Sequence, residues 1–156
     1  MDNLIAILKQ QHWAIRSSCD ALDEFCKKGI NVGNNLEQWV GEKNNTLFHL
    51  KIFKKILVAH LNLEDAELYP AFTKVKDKKI KEIAEKYSDE MILISKRTLS
   101  FFETYSHLTV DDLSQNEYFK LDLNTIITII KKRIDIEEQE LYPLYSKVNI
   151  ASTSIH

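Results

Sequence analysis

Residues His60 to Val75 read HLNLEDAELYPAFTKV, and residues Arg133 to Val148 read RIDIEEQELYPLYSKV. The two stretches are copies of one motif. Each has a polar first residue, an acid four residues later, the block E-x-x-E-L-Y-P and a Lys-Val ending. The offset is constant at 73 residues, from His60 to Arg133. A motif repeated at this separation indicates two similar structural units in tandem.

The first residue of each copy decides what that copy can bind. Residues four apart lie on one face of a helix, so His60 and Glu64 can point at the same place. Imidazole and carboxylate together can hold a metal ion. Arg133 and Glu137 occupy the same positions in the second copy, but a guanidinium stays protonated and cannot coordinate a cation. The sequence therefore predicts a metal clamp in the first copy only.

The chain is predicted to be all-α. Its 156 residues include only three Gly and two Pro, which argues for few, long elements rather than many tight turns. Apolar residues recur at alternating spacings of three and four, as in bundled helices. The predicted helices are Asp2–Lys28, Leu36–Leu68, Asp77–Ser106 and Asp112–Tyr142. Two tandem hairpins of this kind form an up-down-up-down four-helix bundle.

Two further predictions follow from single residues. Pro70 and Pro143 are expected to end or kink the second and fourth helices, because proline has no N–H and clashes with the preceding turn. His12 lies in the middle of the first apolar seam, and Met91 takes the equivalent position on the third helix. His12 is therefore expected to face His60 inside the bundle.

Composition excludes several classes of protein. The charge balance of 21 basic against 23 acidic residues gives no electrostatic case for nucleic acid or for an anionic membrane. No signal peptide and no membrane-spanning run is evident. Cys19 and Cys26 would be about 10 Å apart on one helix, too far to bridge, so we expect reduced core thiols. We expect a cytoplasmic protein.

A histidine on helix one, followed by H-x-x-x-E ahead of E-L-Y-P and by the same plan again, resembles the hemerythrin-like, or HHE cation-binding, domain. The resemblance covers nearly the whole chain, from helix one to Pro143, and implies a single bundle, which we place over residues 1–148. The stretch after Val148 has no apolar periodicity, so residues 149–156 are expected to form a disordered tail. The resemblance also implies non-haem iron between the helices. In such domains, two irons are held by a histidine from each of helices one and three and by a histidine–carboxylate pair from each of helices two and four.

Position by position, the resemblance makes four residues candidate metal ligands: His12, His60, Glu64 and Glu137. Met91 and Arg133 stand where the family has histidines, so the second half of the centre lacks its imidazoles. At most one iron ion is expected. Such a module is expected to bind the metal ion and, through it, dioxygen, and to act in oxygen, redox or iron sensing or in regulation.

Three alternatives stay open at this point. The bundle could be a metal-free interaction protein, with an internal Arg-Glu-His network and a protein partner. His60 and Glu64 could be a structural pair rather than ligands. Arg133 could lie inside, facing Glu137 and Glu64, or rotate outward to solvent. An enzyme is the least favoured interpretation, because no nucleophile–base pair or phosphate-binding glycine loop is present.

Overall fold

The computed structural model describes residues 3–28, 36–105, 109, 112 and 116–153. All regular structure in these ranges is helical. The α-helices are α1 Leu4–Lys28, α2 Leu36–Leu63, α3 Tyr69–Thr73, α4 Lys78–Tyr105, α5 Glu117–Ile136 and α6 Tyr142–Thr153. A π-helical turn, π1 (Glu64–Leu68), joins α2 to α3, and a second, π2 (Glu137–Leu141), joins α5 to α6. The bundle therefore has four long helices, two of them containing a π turn.

The prolines do not end these helices, so that part of the prediction is wrong. The Tyr69 N–H donates to the Glu64 carbonyl and the Tyr142 N–H to the Glu137 carbonyl, each across five residues. Pro70 then falls at the start of α3, where a missing N–H costs no hydrogen bond. The π turn thus lets the chain remain helical through the proline.

The four helices form a closed ring. The first packs against both α2 and α5, α4 packs against α5, and α3 closes the ring against α4. This is the neighbour order of the predicted up-down-up-down bundle, in which consecutive helices are adjacent and the first meets the fourth. No helix within the described ranges is both long and apolar enough to cross a membrane.

A layer of buried polar side chains divides the interior into two apolar clusters. The cluster at one end includes Ile15, Leu57 and Ile134. The cluster at the other end includes Leu8 and Leu141. The side chains between them are almost fully buried: His12, His60, Glu64, Arg133 and Glu137. The bundle therefore places the residues of interest in a dry layer, where electrostatic interactions are strong.

Some of the predicted boundaries differ from the structure. Asn116 caps α5 by accepting a hydrogen bond from the Phe119 N–H at 3.1 Å, so the helix that carries Arg133 starts later than residue 112. The last helix extends past Val148 to Thr153. Residues 154–156 lie outside the described ranges, and the disordered tail stays a prediction.

The two cysteines were expected to be core thiols. Cys19 is fully buried in the larger apolar cluster, and burial raises the pKa of its thiol to about 12. It is therefore an unreactive core residue. The side chain of Cys26 lies outside the described part of the chain.

Candidate metal centre

The four residues that the sequence nominated as ligands converge in the polar layer. His12 comes from α1 and His60 from α2, while Glu64 and Glu137 are the first residues of π1 and π2. His12 Nε2 lies 2.9 Å from Glu137 Oε1 and 3.1 Å from His60 Nε2. His60 Nε2 lies 3.4 Å from Glu137 Oε1 and 3.5 Å from Glu64 Oε1. Three helices thus contribute to one cluster.

The outer nitrogen of each imidazole is held by an acceptor. His12 Nδ1 lies 2.9 Å from Glu138 Oε2, and His60 Nδ1 lies 2.8 Å from Gln11 Oε1. A carboxylate or an amide oxygen can only accept, so each Nδ1 carries the hydrogen and donates it. In the neutral rings the Nε2 lone pairs therefore face inward, as in metal-binding histidines with outer hydrogen-bond partners.

The centre of the layer holds more acceptors than donors. The Tyr142 hydroxyl lies 3.0 Å from His12 Nε2, 3.2 Å from Glu64 Oε2 and 3.2 Å from Glu137 Oε1, but it has one hydrogen to donate. Glu64 Oε1 is buried and has no hydrogen-bond partner among the described residues. Such a surplus costs free energy unless a proton or a cation neutralises it.

The spacing of these atoms fits a small cation. Ligand atoms about 2.1 Å from an ion and at right angles to each other are about 3.0 Å apart. The separations of 2.9, 3.1, 3.4 and 3.5 Å between the nitrogen and oxygen atoms lie near that value. Within the described ranges, His12, His60 and Glu137 form a group of buried side chains whose ligand atoms could share one ion. The donor set of imidazole and carboxylate suits iron and other divalent first-row ions.

Burial and neighbouring charge push the pKa values of the two carboxyl groups apart. Burial and the nearby Glu137 carboxylate raise the pKa of Glu64 well above its ordinary value. Burial opposes ionisation of Glu137 too, but the close contacts of its carboxylate with His12 and His60, together with the charge of Arg133, lower its pKa. Glu137 is therefore the more readily ionised of the two carboxyl groups, and Glu64 is the one that more readily keeps a proton in the absence of a cation.

The histidine and tyrosine protonation states also follow from burial. Burial lowers the pKa of His60, which favours the neutral imidazole that metals require. Burial and the two carboxylates raise the pKa of Tyr142, so without a cation its hydroxyl stays protonated. A bound cation reverses that preference.

Arg133 lies inside the bundle, and the outward orientation is wrong. The side chain is 3% exposed, and its Nε donates to Glu137 Oε2 at 3.0 Å. Its Nη2 donates to the Tyr69 hydroxyl at 2.9 Å and to the Tyr87 carbonyl at 3.0 Å. Its Nη1 lies 3.6 Å from Glu90 Oε2. Burial would lower the pKa of Arg133, but Tyr69 and Glu137 raise it, so the charge is retained.

Glu137 connects the two sides of the layer. Its Oε1 faces the imidazoles of His12 and His60, while its Oε2 accepts from Arg133. The guanidinium thus stands where a second cation would share that carboxylate. Met91 is buried in the apolar cluster and offers no imidazole on this side, as predicted.

The sequence pattern missed the contribution of Tyr142. Residues five apart on an α-helix are separated by about 140° around the axis, so Glu137 and Tyr142 were not expected to share a face. The π turn widens the helix and brings them together. The sequence did contain one signal for the π turn. Pro143 follows Tyr142 within an otherwise helical pattern, and a π turn is one way for a helix to accommodate a proline. The outer partners Gln11 and Glu138 carried no signal in the sequence.

Comparison with known proteins identifies the family. The family model described as the hemerythrin HHE cation-binding domain matches residues 3–145. The chain therefore belongs to that family, and its fold is the all-α four-helix bundle that the sequence predicted. A search of curated proteins and a search of solved structures each returned no match.

Proposed function

We propose that this member of the hemerythrin HHE family binds one iron ion, with His12, His60, Glu64 and Glu137 as ligands. The observation that carries the proposal is the convergence of two Nε2 lone pairs and the Glu137 carboxylate on one point, with both Nδ1 atoms already committed as donors. These groups are all acceptors, and a cation satisfies them at once. The partnerless Glu64 Oε1 adds a fourth acceptor on the same side.

We propose a single ion because Arg133 supplies the second positive charge. The Glu137 oxygen that would reach a second metal already accepts a hydrogen bond from the guanidinium at 3.0 Å. A further cation beside it would be repelled in a buried, low-dielectric layer. The iron would supply an open coordination position able to take dioxygen or another small ligand.

The role we propose is sensing or regulation, responding to iron, oxygen or redox state. Its ligands come from three helices, so occupancy changes how strongly the bundle is cross-linked. A ligand that binds the folded state alone stabilises it by about 2.7 kcal/mol when present at a hundred times its dissociation constant. Iron level would thereby set the stability of the bundle, and a protein partner could respond to that difference.

The test is metal content. We expect untagged protein loaded anaerobically with ferrous iron and then desalted to retain about one ion per chain, by elemental analysis, and to melt at a higher temperature than the metal-free form. His60→Ala should retain none, because it removes a ligand. The matched control is His49→Ala, which removes a half-buried histidine from the same helix and should leave the iron content unchanged.

A second candidate is a metal-free interaction protein. It is favoured by one observation: close polar contacts run from Arg133 through Glu137 to His12, with 3.0 Å from Arg133 Nε to Glu137 Oε2 and 2.9 Å from Glu137 Oε1 to His12 Nε2. In this alternative, the network of buried polar side chains is complete without a metal ion. Wild-type protein that stays free of iron after anaerobic loading, with an unchanged melting temperature, would exclude the iron site and favour the alternative.

A further inference from the structure

The tyrosines that precede the two prolines occupy equivalent positions in the repeat. Tyr69 and Tyr142 are 73 residues apart, like His60 and Arg133. The Tyr69 oxygen accepts a hydrogen bond from the Arg133 guanidinium at 2.9 Å. The phenol oxygen of Tyr69 thus already contacts a buried cation, the guanidinium of Arg133.

The other tyrosine points its oxygen at the candidate iron site. The Tyr142 oxygen lies 3.0 Å from His12 Nε2 and 3.2 Å from both Glu64 Oε2 and Glu137 Oε1. The side chain is 1% exposed, and its ring is stacked on the His12 ring with 5.3 Å between centroids. Its oxygen therefore has the same spacing from the proposed ligand atoms as those atoms have from one another.

The charges around the site indicate when the Tyr142 oxygen would be needed as a ligand. Among the almost fully buried side chains of the layer, Glu64 and Glu137 supply up to two negative charges and Arg133 supplies one positive charge, while Glu138 is part-exposed and lies 3.6 Å from Arg16. A bound cation therefore brings excess positive charge into the layer. A ferric ion brings one more positive charge into the layer, and an uncompensated buried charge is costly. Ionisation of Tyr142 would supply the missing negative charge.

We propose that Tyr142 is a further iron ligand, binding as a phenolate and selecting the ferric state. The inference rests on the proposed iron site and adds a residue and an oxidation state to it. On binding, the phenol O–H bond breaks, the oxygen–iron bond forms and the proton leaves to the buffer. Tyrosine phenolate is an established type of iron ligand in proteins.

The test uses visible absorption, because a ferric ion bound to phenolate has a charge-transfer band that carboxylate and imidazole alone do not give. Protein loaded with ferric citrate and desalted should show the band, and dithionite should abolish it while the iron stays bound. Resonance Raman excitation within the band should enhance phenolate ring vibrations. Tyr142→Phe, which removes only the hydroxyl, should bind iron and lose the band.

The control is Tyr105→Phe. Tyr105 is also buried and donates to a carboxylate, that of Asp122, but it lies in the larger apolar cluster, away from the polar layer. Its variant should keep both iron and band. Iron bound by the wild type without the band, or a band that persists in Tyr142→Phe, overturns the role of Tyr142 and leaves the iron site intact. Failure of the wild type to bind ferrous or ferric iron overturns both proposals.

Discussion

The two sides of the polar layer come from one repeated motif and differ in how they provide positive charge. On one side His12 and His60 present lone pairs, together with an unpartnered oxygen of Glu64. On the other, Arg133 has hydrogen bonds to a carboxylate, a phenol and a backbone carbonyl. On our proposal, the first side takes its cation from solution, whereas the second has a cation built into the chain. In both cases, a positive charge then neutralises the buried acceptors.

Restoring histidines on the Arg133 side of the layer should have the largest effect, a change in the number of iron ions bound per chain. We expect Met91→His combined with Arg133→His to bind a second ion, because the change removes the guanidinium and restores the imidazoles beside Glu137 and Tyr69. Iron per chain, measured by elemental analysis after anaerobic loading, tests this. Arg133→Met is the control, since it removes the charge without adding a ligand. A folded double variant that takes up no more iron than the wild type would show that Arg133 is not what limits the site.

Substituting the two carboxylates one at a time should give the next largest effect, a difference in the free energy of unfolding. In the metal-free protein, Glu137→Gln should destabilise the fold by about 3–5 kcal/mol, because it removes the charge that pairs with a buried guanidinium. Glu64→Gln is the matched control: within the described residues Arg133 donates to Glu137, Tyr69 and Tyr87 rather than to Glu64, and the new amide oxygen can still accept from Tyr142. Urea unfolding at neutral pH measures both. Equal losses in the two variants would contradict the assignment of Glu137 as the partner of Arg133.

The pH dependence of the metal-free protein should give the smallest effect. Glu64 has a raised pKa in the folded state, so its contribution to stability is complete below the ordinary value of 4.5 and is lost as the pH rises towards the folded value. The loss is at most about 1.4 kcal/mol per pH unit. Glu64→Gln should lack this part of the pH dependence and should be more stable than the wild type at neutral pH. Unfolding curves at several pH values, on chelator-treated protein, compare the two. If stability varies with pH in the same way in the two proteins, the pKa of Glu64 is not raised on folding.

Much of the fold and part of the site follow from short-range patterns. The apolar seams predicted four helices, and the spacing of His60 and Glu64 placed them on one face. The position of His12 in its seam predicted that it would face them. These inferences hold because the α-helical period is regular over most of the chain. The roles of the nominated residues as ligands stay a proposal.

The rest depended on departures from that period or on tertiary contacts. The π turns moved Tyr69 and Tyr142 inward, and no rule based on α-helical spacing places them there. The orientation of Arg133 was open because a long side chain can reach either solvent or the interior. Its position inside depends on Tyr69 and on the Tyr87 carbonyl, which come from other helices.

The polar layer also has a consequence for how the helices align along the bundle axis. Apolar clusters above and below it could pack almost equally well after one helix slid by a turn, since aliphatic side chains are interchangeable in outline. Such a slide would bury Arg133 against leucine or isoleucine and strip Glu137 of its partners. A buried polar group can fix register in this way. Because the guanidinium belongs to the chain, the alignment does not wait for a metal, and an ion could leave the bundle without the helices losing their places.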